Sequence, residues 1–217
     1  MRCVAAIAVG CILLTVSTVG AQPHSTTGVF VQGGLFASIE LLPHGEVSLP
    51  VTPLVVRDTS GTVAGGTVGV GAFLRPFLTL RAELAIPATL DQEEDNSASG
   101  LTVSQRTRVN YRDAYVLLGF ETHADRRVRL SYLAGAVIRQ QRFRRRLGIL
   151  NPGLPPFLPP RVEVLEEESV AYGPSVALGL DASAALSPRL TLVPQVRVAV
   201  ASGGLSVRPG LTVRWSF

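Results

Sequence analysis

An eight-stranded, antiparallel, up-and-down β-barrel that crosses a membrane is the fold class this sequence predicts. Three observations predict it. Apolar and polar residues alternate with a period of two along most of the chain, which sorts side chains onto the two faces of a strand and would scatter them around a helix. The alternating segments number eight, an even count that lets an antiparallel sheet close on itself. Their connections are alternately short and long, so the long ones gather at one end. Mean hydropathy is positive, yet past residue 21 no uninterrupted apolar run reaches the length of a membrane helix.

Residues 1–21 read as a secretory signal peptide, and 22–217 as the barrel domain. Arg2 supplies the positive start and Cys3 to Val16 the apolar run. Val19-Gly20-Ala21 supplies small residues before a cut expected ahead of Gln22. Both cysteines, Cys3 and Cys11, fall inside the signal. The mature domain is therefore expected to have no disulfide, no thiolate metal site and no cysteine nucleophile, in keeping with export through an oxidising compartment. The net charge of +4 is carried by arginine without any lysine. Its patches lack the interleaved aromatics of nucleic-acid binders, so no nucleic-acid partner is expected.

The strands follow in order. Val29, Val31, Leu35 and Ala37 oppose Phe30, Gln32, Phe36 and Ser38. Ala64, Val68, Val70, Ala72 and Leu74 oppose Gly65, Thr67, Gly69 and Gly71. Leu78, Leu80, Ala82, Leu84 and Ile86 oppose Phe77, Thr79, Arg81, Glu83 and Ala85. Ala114, Val116, Leu118 and Phe120 oppose Asp113, Tyr115, Gly119 and Glu121. Val128, Leu130, Tyr132, Ala134, Ala136 and Ile138 oppose Arg129, Ser131, Gly135, Arg139 and Gln141. Val170, Tyr172, Val176, Leu178 and Leu180 oppose Ser169, Gly173, Ser175, Gly179 and Asp181. Leu190, Leu192, Val196, Val198 and Val200 oppose Thr191, Gln195 and Arg197. Leu205, Leu211, Val213, Trp215 and Phe217 oppose Ser206, Arg208, Thr212, Arg214 and Ser216.

Arg75-Pro76, residues 123–127 and Ser187-Pro188 mark short turns, and Ser202-Gly203-Gly204 a short final connection. Long polar loops are expected at 39–62, 88–108 and 144–167. Short turns on one side and long loops on the other is the pattern of bacterial outer-membrane barrels.

A soluble ligand-binding barrel would also alternate, with its apolar side chains inward. The composition of the less apolar face argues for the reverse sidedness. Gly173-x-Ser175-x-Ala177-x-Gly179 suits a cramped eight-stranded interior. The apolar faces run nearly the nine to eleven or so residues that a tilted strand needs to cross hydrocarbon, and closure satisfies every backbone group there. Arg81, Glu83, Asp113, Glu121, Arg129, Arg139, Asp181, Arg197, Arg208 and Arg214 then point inward and are expected to form a paired lumen network, because an unpaired charge in a narrow interior is costly. Leucine at position 83 or 113 is expected to lower barrel stability.

Gly210-x-x-Val213-x-Trp215-x-Phe217 resembles the C-terminal assembly signal of outer-membrane barrels, with apolar residues at alternate positions up to a terminal phenylalanine. Through pattern, topology and terminus, the whole mature chain resembles small eight-stranded barrels of the OmpA transmembrane-domain or OmpX type. The resemblance implies residence in the bacterial outer membrane, insertion by the outer-membrane barrel machinery, and contact with outer-membrane lipid and lipopolysaccharide.

Arg142, Arg144, Arg145 and Arg146 form the densest charge cluster. Glu163, Glu166, Glu167 and Glu168 lie beyond a proline-rich tip at 151–160. Folding about the tip sets the clusters opposite each other, either as cross-strand charge pairs of a raised hairpin or as an arginine patch for lipopolysaccharide phosphates. Glu93-Glu94-Asp95 reads as a solvated acidic loop, and no metal site or cofactor is expected. Of His24, His44 and His123, only His44, with Glu46 and Ser48 nearby, falls in an external loop, and none forms a persuasive hydrolytic arrangement. No catalysis is expected. The expected role is envelope integrity or loop-mediated interaction, with a lipid A-modifying enzyme and a small-solute pore as alternatives. The external ligand is not legible.

Overall fold

A computed structural model describes residues 28–41, 46–48, 53–55, 61–98, 101–122, 128–151, 161–201 and 204–217. The expected signal peptide, all three histidines and the proline-rich residues 152–160 lie outside the described residues.

The period-two segments become strands β1 (Gly28–Leu41), β4 (Gly61–Arg75), β5 (Leu78–Pro87), β7 (Leu101–Thr122), β8 (Val128–Asn151), β9 (Arg161–Ala185), β10 (Leu190–Ala201) and β11 (Gly204–Ser216). To these the structure adds a small separate hairpin of β2 (Glu46–Ser48) and β3 (Pro53–Val55), and β6 (Leu90–Ala98). All pairings are antiparallel. β1 bonds to β4 on one side and to β11 on the other, and β5 bonds to β7. β6 continues β5 past Ala88-Thr89 and pairs with the first half of β7, so β5 and β6 fill one position of a closed eight-stranded barrel. The ends of the chain meet at the seam, where Phe30 pairs with Ser216 and the Phe217 amide donates to the Val29 carbonyl at 3.1 Å. At the start of β11, opposite Ala201, Gly204 takes φ 127°, a conformation that side chains resist.

Sidedness follows the alternation. On β1, Leu35 is 73% exposed while Phe30 is 1% exposed, and Val29, Val31 and Ile39 face out as Gln32, Ser38 and Glu40 face in. Leu80, Leu84, Val116, Leu118, Ile138, Leu178 and Val213 continue an apolar exterior around the wall. Such an exterior far exceeds the isolated patches of soluble monomers and suits contact with acyl chains. Phe77, expected inward beside Thr79, instead sits exposed in the 76–77 turn, its ring 5.7 Å from that of Phe120. The turn takes it out of the strand's alternation.

Apart from Ala88 and Thr89, the expected loops 88–108 and 144–167 are strands over their described residues. β8 and β9 span 24 and 25 residues against 12 in β10, an excess of about 40 Å along the strand. The excess forms an open four-stranded blade, β6-β7-β8-β9, rising from one side of the barrel. Its outward face is polar from Arg106 to Arg112 and from Arg142 to Arg146, where it stands clear of the apolar belt, with Leu150, Val162 and Val164 exposed beyond; that mixture concealed the strands. β10 pairs with β9 only from Val176 onward. The edge left open on β9 carries Glu163, Glu166, Glu167 and Glu168, charges that oppose edge-to-edge association.

Candidate functional site: a sealed lumen and an outward arginine face

The interior is stacked in layers. Nearest the short turns lies an ionic layer of three arginines, Arg81, Arg197 and Arg214, and three carboxylates, Glu83, Glu121 and Asp181, all buried. Arg197 donates Nε to Glu83 Oε2 at 3.1 Å and Nη2 to Glu83 Oε1 at 2.8 Å, and its Nη1 reaches Asp181. Arg81 also donates to Asp181. Arg214 stands 3.7 Å from Asp181 and 3.8 Å from Glu121. The Gln32 amide donates to Glu83 at 2.8 Å.

Above this layer lies an apolar band that includes Phe36, Tyr115, Leu117, Leu133 and Val137. The lumen is therefore filled by bulky side chains as well as small and ionic ones. A second ionic layer follows, with two arginines and two carboxylates. Arg139 donates to Asp113 and Glu40, both at 2.9 Å. Arg208 pairs with Asp113 at 2.7 Å and donates to Glu40 at 3.2 Å and to the Tyr115 hydroxyl at 3.0 Å. Leu90, Val109 and Tyr111, with Val63 and Phe143 against them, cap the stack. Aromatic faces support the guanidiniums, with Arg214 4.4 Å from the Phe30 centroid, Arg208 5.2 Å from Phe36 and Arg139 5.0 Å from Tyr111.

Each ionic layer is internally neutral, and Arg81, Arg139, Arg197 and Arg208 each serve more than one acceptor, which lowers the desolvation cost of buried ions. Arg214 is held only by ion pairs of 3.7 and 3.8 Å and by the Phe30 ring, and among the described residues its Nε and Nη2 have no hydrogen-bond partner. A gap of about 10 Å³ among Phe36, Thr67, Glu83, Tyr115, Arg197 and Arg208 has barely room for one water.

The structure brings nine of the ten expected lumen charges into these layers. Arg129 is the exception, being half-buried with no ion pair among the described residues. It lies at the turn end of β8, one residue from the strand start, past the enclosing layers. Sequence reasoning missed Glu40, the hub of the upper layer, because 39–62 read as loop. The alternation Phe36-x-Ser38-x-Glu40 carries the signal. Of the terminal motif, Val213, Trp215 and Phe217 face outward, while Gly210 lies against Phe36 on the inner side.

The cross-strand expectation for the 144–167 hairpin is met in register, with Arg144 opposite Glu168, Arg145 opposite Glu167 and Arg146 opposite Glu166. Strand alternation splits the arginine run. Arg142, Arg144 and Arg146 point outward, whereas Arg145 turns in, 4.9 Å from the Phe143 centroid. β7 adds Arg106, Arg108 and Arg112 to the same outward face, a contribution invisible until β7 and β8 are paired. Asp91 accepts from Arg106 at 2.9 and 3.1 Å and from Arg108 at 2.9 Å, and Glu168 accepts from Arg142 and Arg144, both at 2.7 Å. Glu93-Glu94-Asp95 lies on β6, and no group of three metal-ligating side chains stands together among the described residues.

Hydrogen bonds from Arg106 and Arg108 hold the Asp91 carboxyl at a pKa of about 2. Those from Arg144 and Arg142 hold Glu168 below the usual carboxylate range. Because these folded-state values are depressed, the contacts are complete above the ordinary range and lost as pH falls through the folded value. A carbon-detected titration of Asp91 is expected to show its midpoint near 2, and a midpoint near the free value of about 3.9 would mean that no such clamp forms.

No family model matches the sequence, and no curated protein matches it. Among solved structures, the fold is similar to OprG of Pseudomonas aeruginosa, with TM-score 0.51 and 9% identity over 90% of this chain and 98% of that one. It is also similar to Ail, the attachment invasion locus protein of Yersinia pestis, in complex with the heparin analogue sucrose octasulfate. There the TM-score is 0.50, with 11% identity over 89% of this chain and 100% of that one. The structural neighbours are small eight-stranded outer-membrane β-barrels, and this chain has their fold.

Proposed function

We propose that this chain is an exported bacterial outer-membrane protein whose barrel is a sealed, non-catalytic scaffold. It holds the β6–β9 blade at the cell surface, where it serves envelope integrity or external interaction. The observation that carries the reading is the lumen, with two internally neutral ionic layers separated by one apolar band and capped by another. An ion or solute would have to break several buried pairs at once to pass. The stiff polar blade, rather than the channel, is then the surface offered to partners.

The refolded protein is expected to partition with outer membranes, to migrate differently before and after boiling, and to give no stepwise conductance in planar lipid bilayers. Reproducible channel openings from the heat-shiftable form would refute the sealed scaffold. Lipid A of altered acylation in a strain lacking the protein would refute the non-catalytic part.

A further inference from the structure

We propose that the outward cleft between β7 and β8 binds a phosphate group of the phosphorylated glycolipid that surrounds the barrel in the outer leaflet. The inference rests on the membrane-embedded reading above and names a ligand for its surface.

Four observations carry it. First, the β7–β8 register sets like charge against like: Arg106 is opposite Arg146, and Arg108 is opposite Arg144. Directly opposed residues on one sheet face are close neighbours, and like charges there repel. An anion between the strands reverses the sign of that interaction. Second, the carboxylates stand on the flanks, Asp91 and Glu93 on β6 and Glu166 and Glu168 on β9. Glu166 meets Arg146 at 3.5 Å, whereas Asp91 and Glu168 are each shared by two arginines, so around the cleft Arg106, Arg108, Arg142 and Arg144 meet two carboxylates and the middle stays positive.

Third, the space between them is a built cleft of about 450 Å³, lined by Thr89, Asp91, Arg108, Asn110, Arg142 and Arg144. Among the described residues Arg108 donates only through Nε, to Asp91, which leaves its forked terminal nitrogens for another acceptor. Thr89 donates to the Asn110 side-chain oxygen, which leaves the Asn110 amide as a neutral donor on the cleft wall. Guanidinium forks with an amide beside them match the several oxygens of a phosphate.

Fourth, the cleft is at headgroup height. Ile138 is an outward apolar residue of β8, and the next outward residue, Gln140, donates to the Tyr172 hydroxyl at 2.8 Å. A tyrosine with a bonded hydroxyl is typical of the boundary between hydrocarbon and headgroups. Arg142 follows one outward position later, about 7 Å along the strand. The cleft opens sideways from the wall and not from a loop tip, so it faces lipid neighbours.

The test uses the full refolded barrel and native mass spectrometry with bisphosphorylated lipid A as probe. The triple variant Arg108→Gln, Arg142→Gln, Arg144→Gln is expected to weaken binding at least about tenfold while keeping the heat shift. The control Arg189→Gln, at the opposite end, is expected to bind as the parent does. Added salt is expected to weaken the parent far more than the triple variant. Should the triple variant fail to refold, Arg144→Lys keeps the charge and loses the fork, and a measurable weakening is still expected. Unchanged lipid A affinity in either variant would overturn the proposal, as would equal binding of lipid A stripped of its phosphates. Inorganic phosphate competing at the same concentration as lipid A would assign the cleft to a free anion and overturn the lipid source. Conductance recorded on the same preparation separates the two readings. Channels with intact arginine-dependent lipid binding refute only the sealed scaffold, and arginine-independent lipid binding in a silent barrel refutes only this site.

Discussion

Asp181→Leu is expected to destabilise the barrel by about 3–5 kcal/mol, the range for removing one partner from a buried ionic cluster. Asp181 is fully buried and draws three arginines: Arg81 and Arg197 bond to it, and Arg214 stands 3.7 Å away. Its loss leaves three guanidiniums facing Glu83 and Glu121, and the nearest approach of Glu121 to Arg81 and to Arg214 is 3.8 Å. Leucine fills the volume but offers no acceptor, so the layer becomes positive where no solvent can screen it. Equilibrium urea unfolding in lipid vesicles measures the effect. Pairing the change with Arg214→Met restores neutrality, and the double variant is expected to regain a large part of the loss, because an apolar replacement of a whole buried pair is often nearly neutral. A midpoint unmoved by Asp181→Leu, or a double variant no better than the simple sum, would show that the layer does not act as a unit.

The second large effect is expected where the wall has no side chain. Gly71 of β4 lies opposite Phe30 of β1, and a Cβ built at Gly71 would come closer than 3 Å to three atoms of the Phe30 ring. Gly65 lies opposite Phe36, where a Cβ would meet one atom of that ring and the backbone of Ile86 and Pro87. The Phe30 ring has no easy retreat, with Arg214 4.4 Å from its centroid and Phe73 at 5.3 Å. Gly71→Val is therefore expected to cost about 1–3 kcal/mol through overpacking, with any displacement of Arg214 adding to it. The readout is the temperature at which the folded, fast-migrating form disappears. In a Phe30→Ala background the same valine enters a vacated space, so its cost is expected to shrink sharply. Strict additivity of the two substitutions would mean that ring and glycine do not touch.

The reach of sequence reasoning is visible in these same residues. Arg81, Glu83, Asp181 and Arg197 were legible as inward charges because each occupies the polar phase of a strand whose other phase is apolar. Alternation is a local property, and it is sharp wherever the wall carries the apolar belt. Beyond the belt that sharpness lapses. On β7 the outward residues change from Val116 and Ala114 to Arg112, Asn110 and Arg108 while the inward ones stay Tyr115, Tyr111 and Val109. Both phases then look mixed, so 88–108 and 144–167 read as loops although the backbone ladder continues. Glu40 was lost to the same boundary, two residues past the expected end of β1.

By itself the sequence determined the number of barrel strands, their direction, which face turns outward and most of the charges that enter the lumen. All of these follow from side-chain period and turn spacing along one chain. Only the tertiary structure decided which charges share a layer, since Arg139 and Glu40 lie 99 residues apart and Arg197 and Glu83 lie 114 apart. It alone decided that Arg108 faces Arg144. Partnership in a barrel is set by inter-strand register, and register depends on how all eight strands close together, a condition that no local stretch of sequence states.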